Sequence, residues 1–252
     1  MKKLYALKQG TLCLLFILLT LVGFSQSSKN KTNKKPVVVF VTGDHEYGGE
    51  STLPIIAAEL DQGISFKDTS TMTTIHRMEC GWVYCVAWSV DGQYIAAGME
   101  SGEVIIINPL TRSIINKVKS RRGAVLTVSF NRTSDKLVSG SIDNTAIIYT
   151  VPDLTVLMTL KGHTDTIFCS LFLHDDRVVT GGEDHTIRVW GAEGNAIHII
   201  KDHSNWVRSL AVSPDGKVLV SGGCDNKLCI YDSDTYKMTT SISCKNWVTS
   251  LC

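Results

Sequence analysis

Residues 161–190 read KGHTDTIFCSLFLHDDRVVTGGEDHTIRVW, and the rest of the chain copies this stretch. It holds three short apolar runs: Ile167–Leu173, Arg177–Thr180 and Thr186–Trp190. Turn residues separate them, first His174-Asp175-Asp176 and then Gly181–His185. Runs this short, rich in Val, Ile and Phe and closed by Gly and Asp, form consecutive antiparallel strands rather than helices. Gly162-His163 precede the first run, and Trp190 closes the last.

Working outward, the leading residues of the first strands are Val83, Val125, Ile167, Val207 and Val248, spaced 42, 42, 40 and 41 apart. The acidic residues of the second turn align as Glu100, Asp143, Asp184 and Asp225, spaced 43, 41 and 41 apart. A period near 40 with four strands per period predicts an all-β fold, a β-propeller. Repeat one is expected at Val83–Ser89, Tyr94–Gly98, Glu103–Asn108 and Ser113–Val118; repeat two at Val125–Phe130, Lys136–Gly140, Ala146–Thr150 and Val156–Leu160. The fourth strand of repeat three is Ala196–Ile200. Repeat four runs Val207–Val212, Val218–Gly222, Leu228–Tyr231 and Met238–Ile242, and Trp247–Cys252 opens a fifth. Gly162-His163, the turn Ser213-Pro214-Asp215-Gly216, the run Ser221-Gly222-Gly223-Cys224-Asp225, and Trp190 or Tyr231-Asp232 resemble the WD40 repeat family over residues 73–252. Propellers of that family commonly close with seven blades. The expectation is therefore an incomplete propeller of about four blades, or one that closes by self-association, because an open array leaves strand edges unpaired.

The net charge of +1 provides no basic stripe of the kind nucleic acids need, and no nucleic-acid partner is expected. Lys117, Lys119, Arg121 and Arg122 form a local basic patch, expected as a solvated loop after a strand. Of the eight cysteines, Cys85, Cys169 and Cys229 fall inside expected strands, where Cys acts as a small apolar residue. No C-x-x-C pair appears, so neither a metal site nor a cofactor is expected. Strand cysteines fit a reducing compartment.

The N-terminus points the other way. A basic start at Met1-Lys2-Lys3 and an apolar run Leu12–Phe24 form the pattern of a signal peptide over residues 1–25, too short for a stable membrane span. Residues 26–35 read as a polar linker. Pro36–Thr42 shows no polar face, as in a strand of a parallel α/β sheet, and a helix is expected after Ser51. The string VVVFVTGDHEYGGESTLPIIAAEL resembles the start of a ThuA-like α/β domain. That resemblance implies an alternative: a secreted, sugar-utilisation-type protein whose catalytic part is missing. Asp44, His45 and Glu46 are consecutive and lack distal partners, so they read as a loop rather than a metal centre. Residues 36–61 then form a truncated fragment, 62–72 a junction and 73–252 the repeats, as in a chimera of two parents. The signal peptide suggests export and the cysteines a cytoplasmic setting.

The WD40 resemblance implies that His163, Thr180, Asp184 and Trp190 form a buried hydrogen-bonded chain. A histidine, an aspartate and a hydroxyl also suggest hydrolase chemistry, but here the hydroxyl is expected between the Trp and the His, away from any substrate. Repeat four keeps His203, Ser221 and Asp225 with Tyr231 for the Trp; repeat two keeps Ser139 and Asp143 without a His; repeat one has Glu100 in the Asp position. Trp82, Trp206 and Trp247 each precede the first Val of a leading strand. The resemblance places this position near one mouth of the central channel, where exposed aromatics anchor partners. Packing between blades is the competing role. The expected function is a non-catalytic scaffold for a protein or peptide partner.

Overall fold

The computed structural model describes residues 37–42, 63–68, 74–78 and 80–251. Every regular element among them is a strand. Strands β1 (Val37–Thr42), β2 (Gly63–Asp68) and β3 (Thr74–Met78) form one sheet. Blade one is β4 (Val83–Trp88), β5 (Ile95–Met99), β6 (Glu103–Asn108) and β7 (Ser113–Lys119). Blade two is β8 (Val125–Phe130), β9 (Lys136–Ser141), β10 (Thr145–Thr150) and β11 (Val156–Lys161). Blade three is β12 (Ile167–Phe172), β13 (Val178–Gly182), β14 (Ile187–Trp190) and β15 (Ala196–Ile200). Blade four is β16 (Val207–Val212), β17 (Val218–Gly223), β18 (Lys227–Asp232) and β19 (Met238–Ser243). Within each blade the strands pair antiparallel in chain order. The fold is therefore all-β, an array of four propeller-type blades, with strand positions within about two residues of those read from the sequence.

Leading strands β4, β8, β12 and β16 lie side by side, and the core fills the space between blades. One glycine per blade sets this spacing. A Cβ on Gly98, Gly140, Gly181 or Gly222 would stand 2.4–2.6 Å from the first residue of the next blade's leading strand: Val125, Ile167, Val207 and Val248. The β-branched residue thus packs directly onto the neighbour's backbone, an approach only glycine permits. The third residue of each leading strand works the same seam. Cys85 and Cys169 direct their thiols at the carbonyls of Val125 and Val207, each 3.7 Å away, and Ser209 donates to Val248 O at 3.5 Å. The cysteines are therefore small seam-filling groups, and all six described ones are free thiols. Residues 244–251 form no strand, yet Val248 sits on Gly222 as its counterparts do, so the opening of the fifth repeat is in place.

Expectations at the N-terminal side change. β1 enters no parallel sheet; it pairs antiparallel with β2, whose edge is open to it because β2 is already hairpinned to β3. The stretch 62–72, expected as a junction, holds β2. The β2–β3 pair carries a register shift between Phe66 and Lys67. The same irregularity interrupts the third–fourth strand pair of every blade, between Ile106 and Ile107, Ile148 and Tyr149, Val189 and Trp190, and Ile230 and Tyr231. β1–β2 is regular, as second–third pairs are, and β1 touches β4 as β5 touches β8. These three strands thus follow the pattern of the outer three strands of a blade. The signal peptide, the linker, the loop with Asp44, His45 and Glu46, and the helix after Ser51 lie outside the described residues. Among the described residues no helix is long and apolar enough to cross a membrane.

Candidate functional site

Repeat three brings its four polar residues together. The indole N–H of Trp190 donates to Thr180 Oγ1 at 2.8 Å, and His163 Nε2 lies 2.7 Å from the same hydroxyl. His163 Nδ1 lies 2.8 Å from Asp184 Oδ2. An imidazole with its proton on Nδ1 satisfies the whole chain: Trp to Thr to His to Asp. All four groups are buried or nearly so, with side-chain exposures of 0 % at His163 and 5 % at Asp184. The second glycine of the Gly181-Gly182 pair makes this possible. A Cβ at Gly182 would fall 3.0 Å from His163 Nδ1 and 3.2 Å from Asp184 Oδ1. Asp184 also fixes its own turn, accepting from the Thr186 N–H at 3.1 Å and the Thr186 hydroxyl at 2.8 Å, while His185 takes the positive φ of 64°. Burial pushes its carboxyl up, but the hydrogen bonds it accepts from His163 and Thr186 outweigh that and hold it well below the usual carboxylate range.

Repeat four repeats the arrangement with a smaller hydroxyl. His203 Nε2 lies 2.7 Å from Ser221 Oγ, and His203 Nδ1 lies 3.0 Å from Asp225 Oδ1. Tyr231 is fully buried in the Trp position, but its hydroxyl finds no hydrogen bond of normal geometry. Burial drives its pKa far above the ordinary phenol value, with neighbouring Ser221 opposing.

Repeat two departs from expectation. Arg121 does not belong to a solvated basic patch: Lys117, Lys119 and Arg122 are exposed, but Arg121 is buried. It stands four residues before Val125, as His163 stands four before Ile167, and fills the histidine's place. Its guanidinium donates to Ser139 Oγ at 3.0 Å and to Thr145 O at 3.1 Å, and lies 3.8 Å from Asp143 Oδ1. Among the described residues its Nε has no hydrogen-bond partner. Tyr149, in the Trp position, shares a 2.5 Å hydrogen bond with Ser120 instead of reaching Ser139. Ser141 stands where the second glycine does in repeats three and four; no imidazole crowds it here.

In repeat one the acidic alignment shifts by one residue. Glu100 does not occupy the Asp position. Its N–H donates to Trp82 O, as those of Ile142, Glu183 and Cys224 do to Ala124, Thr166 and Trp206. Ser101 is the true counterpart of Asp143, Asp184 and Asp225, because Gly102, with φ of 82°, takes the place of Asn144, His185 and Asn226 at φ of 62–67°. The counterparts of Thr180 and Trp190 are Ala97 and Ile107, both fully buried. The matching histidine position, Glu79, lies outside the described residues.

The tryptophan row is on the surface. Trp247 and Trp206 are 56 % and 37 % exposed, and Trp82 is half-buried. Trp206 leans on Phe168 of the neighbouring blade, with ring centroids 5.6 Å apart and planes tilted by 42°. The guanidinium of Arg208 lies over the other partner of this contact, 4.3 Å from the Phe168 centroid. Trp206 therefore packs across a blade boundary while keeping about a third of its surface in solvent.

A groove of about 240 Å³ between blades two and three is lined by Leu157, Met158, Phe172 and Trp190 but by none of His163, Thr180 and Asp184. Among the described residues no three His, Cys, Asp or Glu side chains gather as a metal site would require.

Four-stranded blades in register, a buried His–Asp–hydroxyl network and an outward aromatic row define a repeat propeller module. The chain belongs to the WD40 family: the model described as "WD domain, G-beta repeat" matches residues 70–108, 113–150, 154–191 and 194–232, more than half of the chain. It is similar to a guanine nucleotide-binding protein subunit beta of Dictyostelium discoideum, 29 % identical over 147 residues, covering 56 % of this chain and 42 % of that one. It is also similar to the guanine nucleotide-binding protein subunit beta-1 of Caenorhabditis briggsae, 27 % identical over 180 residues, covering 69 % of this chain and 52 % of that one. The chain thus spans about half the length of the curated relatives it matches. A chain in a crystal structure of the mitotic checkpoint complex shares the fold, with a TM-score of 0.70 at 21 % identity, over 76 % of this chain and 61 % of that chain. No matched repeat segment reaches residues 36–61, where the ThuA-like start was expected.

Proposed function

We propose that the chain is a non-catalytic protein-interaction scaffold that engages a protein or peptide through the aromatic row of Trp82, Trp206 and Trp247. The carrying observation is the exposure of Trp206 and Trp247 at equivalent positions of a rigid array. Large aromatics held on a fixed backbone lose little entropy on binding and supply most of the contact energy. The relatives' descriptions as G-protein β subunits and the checkpoint-complex neighbour support a protein partner as the class. The hydrolase alternative has no support in the geometry. The Thr180 hydroxyl is closed between an indole and an imidazole, and it does not line the groove between blades two and three.

Peptides selected from a displayed library on the intact chain test this reading. Trp206→Ala and Trp247→Ala are expected to weaken the selected peptides about tenfold or more. Their melting temperatures are expected to stay within a few degrees of the parent. Unchanged binding together with a large fall in melting temperature would mean that the row only packs the blades.

A further inference from the structure

Beside the aromatic row stands a charged residue that the repeat pattern does not require. Each leading strand makes a register shift between its first and third residues, at Val83/Cys85, Val125/Thr127, Ile167/Cys169 and Val207/Ser209. The skipped residues are Tyr84, Leu126, Phe168 and Arg208, and only blade four places a cation there. A β-bulge aims its extra residue away from the regular ladder and so presents it beside the neighbouring blade. There, Arg208 and Trp206, both from the blade-four side, each contact the ring of Phe168 of blade three.

Arg208 is half-buried, and among the described residues it has neither a carboxylate within ion-pair distance nor a side-chain hydrogen bond. Every other arginine of blades two to four with a buried or half-buried side chain is spoken for. Arg121 contacts Ser139 and Asp143, Arg177 contacts Asp175, and Arg188 contacts Thr186 and Asp184. A guanidinium stacked on a ring keeps its N–H fork in the plane, free for a planar bidentate acceptor. Its charge is felt inside the blade seam, where it opposes the burial that pushes the Cys169 thiol up to about 12.

Building on the aromatic-row reading, we propose that Phe168, Trp206 and Arg208 form a subsite for an acidic side chain of a bound peptide. The carboxylate takes the guanidinium fork of Arg208, and the aliphatic stem of the acidic residue or its apolar neighbour lies on the exposed edge of Trp206. A partner segment mixing Glu or Asp with apolar residues fits both halves of the subsite.

Fluorescence anisotropy on the full chain, at low ionic strength, decides this with three labelled peptides: GSELEFELEGS, GSQLQFQLQGS and GSKLKFKLKGS. The glutamate peptide is expected to bind about tenfold more tightly than its glutamine counterpart, and the lysine peptide most weakly. Arg208→Met is expected to erase the preference for glutamate over glutamine, and Arg208→Lys to keep part of it, because charge remains without the planar fork. Melting curves of both variants guard against misfolding, and the lysine variant keeps the test decisive if the methionine variant folds poorly. Equal binding of the glutamate and glutamine peptides, lost in both cases on Trp206→Ala, overturns the acidic subsite and leaves the aromatic row standing. A preference for glutamate that survives Arg208→Met also overturns it. Binding indifferent to both Trp206→Ala and Arg208→Met overturns the aromatic row as well. No binding by any of the three peptides overturns the acidic subsite, and the library-selected peptides then judge the row separately.

Discussion

Repeat three joins Thr180 to Trp190 by a hydrogen bond and continues through His163 to Asp184, whereas repeat one puts Ala97 and Ile107 at the first two of those positions. Both blades nevertheless have four strands in the same order, with the same register shifts. Both rest the same glycine against the next blade, Gly98 on Val125 and Gly181 on Val207. The blade geometry therefore depends on strand alternation and the glycine seam. The polar chain is an addition to that geometry, and an apolar pair of suitable volume replaces it. Buried polar groups follow this rule generally: a complete network and an apolar core are both stable, while a half-removed network is not. Repeat two occupies a middle state, with a permanently charged arginine spanning the hydroxyl and the carboxylate.

The largest effect is expected from halving the network of repeat three. His163→Ala leaves Asp184 and Thr180 buried without their central partner and is expected to cost about 3 kcal/mol in urea unfolding. The same contribution can be removed with acid. The carboxyl of Asp184 is held below its ordinary value in the folded chain, so its stabilisation is complete above the unfolded carboxylate pKa near 4 and is lost as pH falls toward the lower folded value. The melting temperature of the parent should then fall more steeply below pH 4 than that of Asp184→Asn. Parallel curves would show that the carboxylate carries no linked stability.

Next in size is Gly182→Ala, which puts a methyl against the His163–Asp184 pair and is expected to cost about 2 kcal/mol. Repeat two offers a milder loss. Arg121→Met keeps the stem that fills the seam and removes a guanidinium whose Nε is unsatisfied, and Asp143 retains its Thr145 donors. A cost of about 1 kcal/mol is expected by thermal unfolding. Arg121→His alone should do no better, because Ser141 fills the space that Gly182 leaves for the ring in repeat three. Pairing it with Ser141→Gly should recover stability non-additively. The smallest effect tests the corrected alignment. Glu100→Ala should change stability by no more than about 0.5 kcal/mol, whereas an Asp-like role for Glu100 would show a loss as large as that of Asp184.

Much of this was legible in the sequence. The strands lie within about two residues of their expected places because short Val- and Ile-rich runs between Gly and Asp turns leave one reading. His163, Thr180, Asp184 and Trp190, grouped in the sequence through the WD40 resemblance, lie within hydrogen-bond distance of one another. What escaped was chemistry by substitution. Arg121 looks like one member of a basic cluster, and only its offset of four from Val125 marks it as the histidine's stand-in. Glu100 drew the alignment because it is acidic, although the positive-φ glycine at 102 identifies Ser101 instead. Val37–Thr42 misled for another reason. An unbroken apolar run has no alternation to reveal its partner, and parallel and antiparallel pairing look alike in it. The cation at Arg208 was invisible until the bulge at β16 placed it over Phe168.

A double-mutant cycle on His163 and Asp184 tests the central claim most directly. Urea unfolding of the parent, His163→Ala, Asp184→Asn and the double variant yields the coupling between the two side chains. A buried, mutually dependent network predicts a coupling of about 2 kcal/mol, with the double variant little worse than either single one. Independent, additive losses, or single variants as stable as the parent, would contradict the view that these residues form one mutually dependent network inside the blade.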